Sequence, residues 1–167
     1  MSASIDLSSL LSPHTFTLFI APSETIQEAL NTLMNRQRGK ILYLCGNYPE
    51  ILPKFTTAST NLVVRRALTI YQVQTILAES DERLTLFEHD RSLFDDNADL
   101  LPYIGEFCRH KAEDTGSVFI FSTKLDKWLI LLEPYVHRMV LILNDTPSVK
   151  QTHAVTASTQ KNLDGIW

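Results

Sequence analysis

Short apolar runs alternate with helical patterns along this chain. Six runs suit strands, and four stretches between them repeat apolar residues three and four positions apart, as on one face of a helix. The strands are predicted at residues 16–21, 40–45, 61–65, 84–87, 117–121 and 139–143. The helices are predicted at 24–37, 69–80, 100–113 and 125–135. Because successive parallel strands are joined by right-handed helical crossovers, the alternation predicts an α/β fold, a three-layer αβα sandwich with a mostly parallel sheet.

The length of 167 residues suits one domain with a substantial core. We predict this domain over residues 1–146. From about residue 147 the composition shifts towards Thr, Ser, Gln and Asn, and apolar alternation is weak. Residues 147–167 are therefore predicted to form either a polar tail or an antiparallel edge strand.

Composition excludes several classes of protein. No apolar run approaches the roughly 20 residues of a membrane span, and the start lacks the pattern of a secretory signal, so we expect a cytoplasmic location and no membrane partner. Two cysteines, Cys45 and Cys108, are too few for a disulfide framework or a thiolate metal site and are expected to be buried. The net charge is −4, and residues 81–116 carry ten acids against four bases, which argues against direct nucleic-acid binding.

The first strand-to-helix turn has neither glycine nor lysine. It reads Ala21-Pro22-Ser23-Glu24, where Pro22 has no N–H to offer and Glu24 brings a negative charge. A phosphate-binding loop needs glycines, so that successive N–H groups can surround the phosphates, and a lysine to neutralise them. The turn therefore predicts no nucleotide site and no cofactor. Ser23 is a candidate N-cap of the helix, and Gly39 a candidate stop.

Four later segments follow one another in an order that matches a known superfamily. They are RGKILYLCG (38–46), NLVVRRALTIYQVQTILAES (61–80), LTLFEHD (84–90) and SVFIFST (117–123). In this order the chain resembles the core ATPase domain of the RecA/RadA recombinase superfamily over residues 14–143. The main departure is the missing phosphate loop, since FTLFIAPSETIQEAL is several residues too short to contain it.

The resemblance implies a degenerate paralogue. The metal-orienting aspartate of the superfamily would correspond to Asp90 or Glu88, without a phosphate site to serve. Non-ATPase members of the superfamily act as partners of active recombinases. The resemblance therefore implies a non-catalytic scaffold linked to DNA recombination or repair, working beside a protein partner or as a homodimer.

Polar residues follow the ends of the predicted strands, where parallel sheets bind ligands. The candidates for this crevice are Ser23, Glu24, Arg65, Arg66, Glu88, His89, Asp90, Ser122, Thr123 and Lys124. Glu88, His89 and Asp90 suit a divalent ion or acid/base chemistry, which makes a small-molecule or metal-dependent enzyme the alternative function. Neighbouring residues of a strand point to opposite faces, so the three are not expected to meet at one centre. No catalytic residue and no metal ligand is assigned.

The two arginines could bind a phosphate or a carboxylate of a partner, because guanidinium binds both in a bidentate manner. The simpler expectation is that one pairs with the acidic segment 88–96 and the other is solvated. DNA binding would need a basic stripe that joins Arg65 and Arg66 to Lys124 and Lys127.

Residues 48–60 are predicted to form a long loop that is unusually apolar. Such a loop either covers the vacated nucleotide site or docks onto another chain. Its candidate contact residues are Tyr48, Ile51, Leu52 and Phe55. The aromatic residues expected to be exposed are Tyr48, Phe55, Tyr71, Phe94 and Trp167.

Overall fold

The computed structural model describes residues 12–54 and 61–142. Strands and helices alternate along these residues as the apolar pattern predicts. The strands are β1 (Phe16–Ile20), β2 (Ile41–Cys45), β3 (Leu62–Arg66), β4 (Leu84–Glu88), β5 (Ser117–Ser122) and β6 (Arg138–Leu141). The helices are α1 (Ser23–Arg36), α2 (Ile70–Glu79), α3 (Leu101–Asp114) and α4 (Lys127–Leu132).

All six strands join in one sheet, in the order β3-β2-β4-β5-β1-β6, and every pair is parallel. The chain moves from β1 to β2 in one direction through α1, whereas α2, α3 and α4 join strands in the other direction. Right-handed crossovers therefore put α1 on one face and the other helices on the opposite face. The predicted three-layer αβα sandwich is confirmed. The strand order differs from that of the Rossmann fold, in which the first strand lies beside the second.

Each face of the sheet carries its own core. Phe19, Tyr43 and Phe121 pack with α1, while Leu18 and Ile120 pack with the helices of the other face. This division follows from strand geometry, since successive side chains of a strand alternate between faces. The continuous apolar runs are thus strands covered on both sides, and each buried Leu, Ile or Phe contributes about 1.5–3 kcal/mol relative to an exposed one.

The helix starts show which capping predictions hold. Thr69 caps α2, because its Oγ1 accepts a hydrogen bond from the N–H of Gln72 at 3.2 Å. The prediction for Ser23 is wrong: Pro22 occupies the N-cap position of α1, and Ser23 is the first helical residue. Gly39 does not end α1 either, since the helix stops at Arg36 and the backbone is already extended at Gln37.

Several predictions fall on residues outside the described ranges. They are Phe55, Trp167, the domain boundary near residue 146 and the tail or antiparallel strand of residues 147–167. No helix of the described residues is long and apolar enough to span a membrane. Both cysteines are buried and free, as predicted.

Candidate functional site

The first strand-to-helix connection consists of only Ala21 and Pro22. The N–H of Ala21 donates to the carbonyl of Ser122 at 3.2 Å, so it belongs to the sheet, and Pro22 has no N–H. Ser23 already lies in the helix, and Glu24 is exposed in its first turn. Two residues that expose no backbone donor cannot wrap around a chain of phosphates.

Glu88 anchors the segment after β2, residues 46–54, to the sheet. Its side chain is buried, with 4% of the residue exposed. Oε1 accepts hydrogen bonds from the Tyr43 hydroxyl at 3.1 Å and from the N–H groups of Ile51 and Leu52 at 2.5 and 3.2 Å. Oε2 is buried without a hydrogen-bond partner. Burial raises the pKa of Glu88 above its usual value, although the donors from Ile51 and Tyr43 act in the opposite direction.

Asp90 joins the loops that follow β2 and β4. Its Oδ1 accepts from the N–H and hydroxyl of Ser92 at 3.0 and 2.6 Å, and its Oδ2 accepts from the N–H of Tyr48 at 3.2 Å. Burial acts to raise the pKa of Asp90, but the hydrogen bonds from Ser92 and Tyr48 outweigh it and hold the pKa below its usual value. The close approach requires Gly46, since a Cβ there would lie 2.7 Å from Cβ of Asp90. Both oxygens of the Asp90 carboxylate therefore accept hydrogen bonds that hold the two loops together.

His89 points to the opposite face from Glu88, as strand geometry predicts. Its ring stacks on Phe94 at 5.6 Å between centroids, and Nε2 lies 2.6 Å from Oδ2 of Asp126. Asp126 also caps α4, where its Oδ1 accepts from the N–H of Leu129 at 3.0 Å. Burial opposes ionisation of Asp126, but the hydrogen bond and charge of His89 hold its pKa below the usual value. The His89–Asp126 pair therefore anchors the loops before α3 and α4.

Six of the ten crevice candidates line one cavity of about 200 Å³ at the carboxyl ends of the strands. They are Glu88, His89, Asp90, Ser122, Thr123 and Lys124. The Ser122 hydroxyl donates to the carbonyl of Lys124 at 2.8 Å and accepts from its N–H at 3.2 Å, so this hydroxyl closes a turn. Ser23, Glu24, Arg65 and Arg66 are not among the lining residues.

The two arginines lie on β3, at the edge of the sheet. Arg65 forms an exposed ion pair with Glu79 of α2, with 3.8 Å between the charged groups. The expected pairing with the acidic segment 88–96 is therefore wrong for Arg65, because α2 follows β3 directly and brings Glu79 beside it. Arg66 lies opposite Cys45 in the sheet and contacts its thiol. Neither arginine contributes to the cavity.

The segment after β2 covers the carboxyl ends of the strands. Ile51 is only 2% exposed and belongs to the core on the α1 side, and Leu52 packs partly against it. Ile51 is therefore a core residue. The prediction that Ile51 contacts a partner is wrong, because its side chain is not accessible. Lys54 donates from Nζ to Oγ of Ser23 at 3.1 Å, so the segment extends to the start of α1. Tyr48 is 78% exposed.

Sequence reasoning missed three residues that shape this site: Tyr43, Gly46 and Asp126. An aspartate just before the apolar run KWLILL is a typical N-cap, which could have placed Asp126 at the start of α4. The contacts of Tyr43 and Gly46 join residues more than 40 positions apart and have no local pattern. Within residues 12–54 and 61–142, no group of three or more His, Cys, Asp or Glu could hold a metal ion.

The chain is therefore a three-layer α/β domain with a six-stranded parallel sheet and a two-residue connection between β1 and α1. No protein-family model matches the chain. The chain is similar to an uncharacterized protein of Archaeoglobus fulgidus, with 30% identity over 128 residues. The match spans 76% of this chain and 64% of that relative, so the chain covers less than two thirds of the relative's length.

Proposed function

We propose that this chain is a RecA/RadA-like domain that does not bind nucleotide and that acts as a protein-interaction module. The resemblance links such a module to DNA recombination or repair. The observation that carries the proposal is the two-residue connection Ala21–Pro22, which replaces the phosphate loop of an ATPase. A domain that keeps the sheet and lacks this loop retains its surfaces but loses the means to hold a triphosphate.

The segment after β2 gives further support. It occupies the space above the strand ends through buried Ile51, and its Lys54 contacts Ser23 at the start of α1. A nucleotide at the start of α1 would have to displace these contacts.

The carboxylates support the same proposal. Oε1 of Glu88 accepts from three groups, and both oxygens of Asp90 accept from protein groups. A metal bound through Oε1 of Glu88 or through Asp90 would compete with the hydrogen bonds that fix the loops.

The alternative is a small-molecule or metal-dependent enzyme in the 200 Å³ cavity. It has less support, because Glu88 and His89 pack on opposite faces and each is held by structural partners. Direct DNA binding also has less support. Arg65 and Arg66 on β3 are separated from Lys124 after β5 by two strands, and Glu88 and Asp90 lie between them.

Tyr48 offers the test of the interaction module. It is exposed at the rim of the cavity, and a buried aromatic anchor in an interface typically contributes about 2 kcal/mol or more. We expect Tyr48→Asp to weaken self-association, or binding of a stoichiometric partner purified from the native organism, at least about tenfold. Sedimentation velocity and quantitative affinity purification measure the two cases.

Tyr103→Asp is the matched control, since Tyr103 is 63% exposed on α3 and does not line the cavity. It should leave association unchanged. A wild-type chain that neither self-associates nor retains a stoichiometric partner would contradict the interaction module. An equal loss of affinity in Tyr48→Asp and Tyr103→Asp would argue against an interface at Tyr48.

A further inference from the structure

A second, larger cavity of about 690 Å³ lies at the opposite end of the sheet. It opens at the amino ends of β1, β4 and β5, beside the last turn of α1. A strand of five residues separates the two ends by roughly 16 Å. The volume falls within the ~300–1,000 Å³ typical of small-molecule sites. Neither the resemblance nor the proposed function assigns a role to this cavity.

Two arginines without partners line the cavity. Arg36 comes from the last turn of α1, and Arg83 directly precedes β4. Among the described residues neither guanidinium forms an ion pair or a hydrogen bond, whereas Arg65, Arg91 and Arg109 are all paired. Asp114 is the acid of the lining, so the arginines leave the cavity with a net positive charge. Such a site favours an anion.

Close packing fixes the wall that carries Arg83, and hydrogen bonds fix the wall that carries Thr15 and Ser117. The backbone of Arg83 packs directly against Gly116, at distances that exclude a side chain on Gly116. On the other side, the hydroxyls of Thr15 and Ser117 both donate to the carbonyl of Ser12, at 2.7 and 3.3 Å. A cavity with fixed walls loses little entropy when it binds a ligand.

His14 adds a strained element to the same wall. Its backbone has φ 57°, the left-handed region, and it is the one non-glycine residue of the described ranges with positive φ. The Nδ1 atom lies 3.1 Å from the carbonyl of Ala112, so Nδ1 carries the proton and donates, and this hydrogen bond fixes the ring. Left-handed non-glycine residues cost about 1–3 kcal/mol and concentrate at functional sites.

We infer that this cavity binds a small anionic ligand, whose phosphate or carboxylate group is held by Arg36 and Arg83. Guanidinium groups bind both anions in a bidentate manner, and two of them can enclose one anionic group. Gln37 and Thr115 also line the cavity, and an amide and a hydroxyl side chain can supply neutral donors. The site is independent of the proposed interaction module, because it lies at the other end of the sheet.

Titration of the full chain with inorganic phosphate and, separately, with succinate tests the inference. We follow backbone amide shifts by NMR at low salt. One of the two anions should bind saturably and shift residues that line the cavity, and added sodium chloride should weaken its binding. The anion that binds more tightly identifies the chemical class of the ligand.

Arg36→Gln and Arg83→Gln should each weaken binding about tenfold. Arg38→Gln is the matched control, since Arg38 is exposed two residues from Arg36 and outside the lining. Arg36 and Arg83 are themselves exposed, so both variants should keep the wild-type spectrum elsewhere. No saturable binding of either anion, or equal weakening by all three substitutions, would overturn the site.

Discussion

Gly116→Ala should lower the free energy of unfolding by about 3 kcal/mol. A Cβ at position 116 would lie 2.5 Å from Cα and 2.6 Å from the carbonyl carbon of Arg83, and closer still to its oxygen. These atoms are backbone next to β4, so they cannot rotate away as a side chain would. Forcing extra volume into a packed site costs typically ~1–3 kcal/mol, and a fixed backbone neighbour places this substitution at the upper end.

Urea unfolding followed by circular dichroism measures the effect as a shift of the midpoint at constant slope. Gly39→Ala is the matched control. The nearest atom to a Cβ at Gly39 is Nε2 of Gln37 at 3.9 Å, so this change should stay within about 0.5 kcal/mol. If the two variants unfolded at the same urea concentration, the close packing of the Arg83 backbone against Gly116 would be wrong.

Glu88→Ala should destabilise the chain by about 4 kcal/mol. It removes the acceptor of the Tyr43 hydroxyl and of two backbone N–H groups, and all three lie in or beside the core. A buried donor left without a partner costs ~1–3 kcal/mol, and release of the segment after β2 recovers part of that cost. Amide exchange at Ile51 and Leu52 should therefore accelerate more than exchange in β1. Unchanged exchange at Ile51 and Leu52 would show that Glu88 does not hold the segment.

Glu88→Gln separates the charge of this side chain from its shape. The folded state raises the pKa of Glu88, so it binds this proton more tightly than the unfolded chain does. The part of the stability that comes from this pKa difference is complete below the unfolded pKa of about 4.3 and is lost as pH rises through the folded pKa. The stability of the Gln variant relative to wild type should therefore increase as the pH rises from about 4, and level off once the pH exceeds the folded pKa of Glu88.

Urea unfolding of both proteins at several pH values measures this difference. A stability difference between wild type and Glu88→Gln that stays constant with pH would contradict a raised pKa at Glu88.

The sequence predicted the layers of the fold because each layer has a local pattern. The apolar run KILYLC and the helical spacing of Ile26, Leu30 and Leu33 are visible within a few residues. The short first turn was visible for the same reason. The expectation that this turn holds no phosphate rests on the residue types Ala21 and Pro22.

The contacts of the site had no such local pattern. Phe94 was predicted to be exposed, yet it is 1% exposed, because it stacks against His89 and packs into the core. The pairing of His89 with Asp126 spans 37 positions, and that of Ile51 with Glu88 also spans 37. Such pairs depend on strand order, which alternation does not specify.

The amino-end cavity was missed for a related reason. Its lining joins His14, Arg36, Arg83 and Asp114, which lie in four separate parts of the sequence. The candidate residues were taken from the carboxyl ends of the strands, because parallel sheets usually bind ligands there. A cavity at the amino ends becomes visible only when the strand order brings β1, β4 and β5 side by side.

Calorimetric titration with millimolar ATP shows whether the connection Ala21–Pro22 prevents this domain from holding a triphosphate. The titration is done with and without magnesium, on the wild type and on the Arg36→Gln/Arg83→Gln double variant, so that anion binding at the amino ends does not contribute. We expect no saturable, magnesium-dependent heat in the double variant. Saturable magnesium-dependent binding there, accompanied by amide shifts at Ala21 and Ser23, would contradict it.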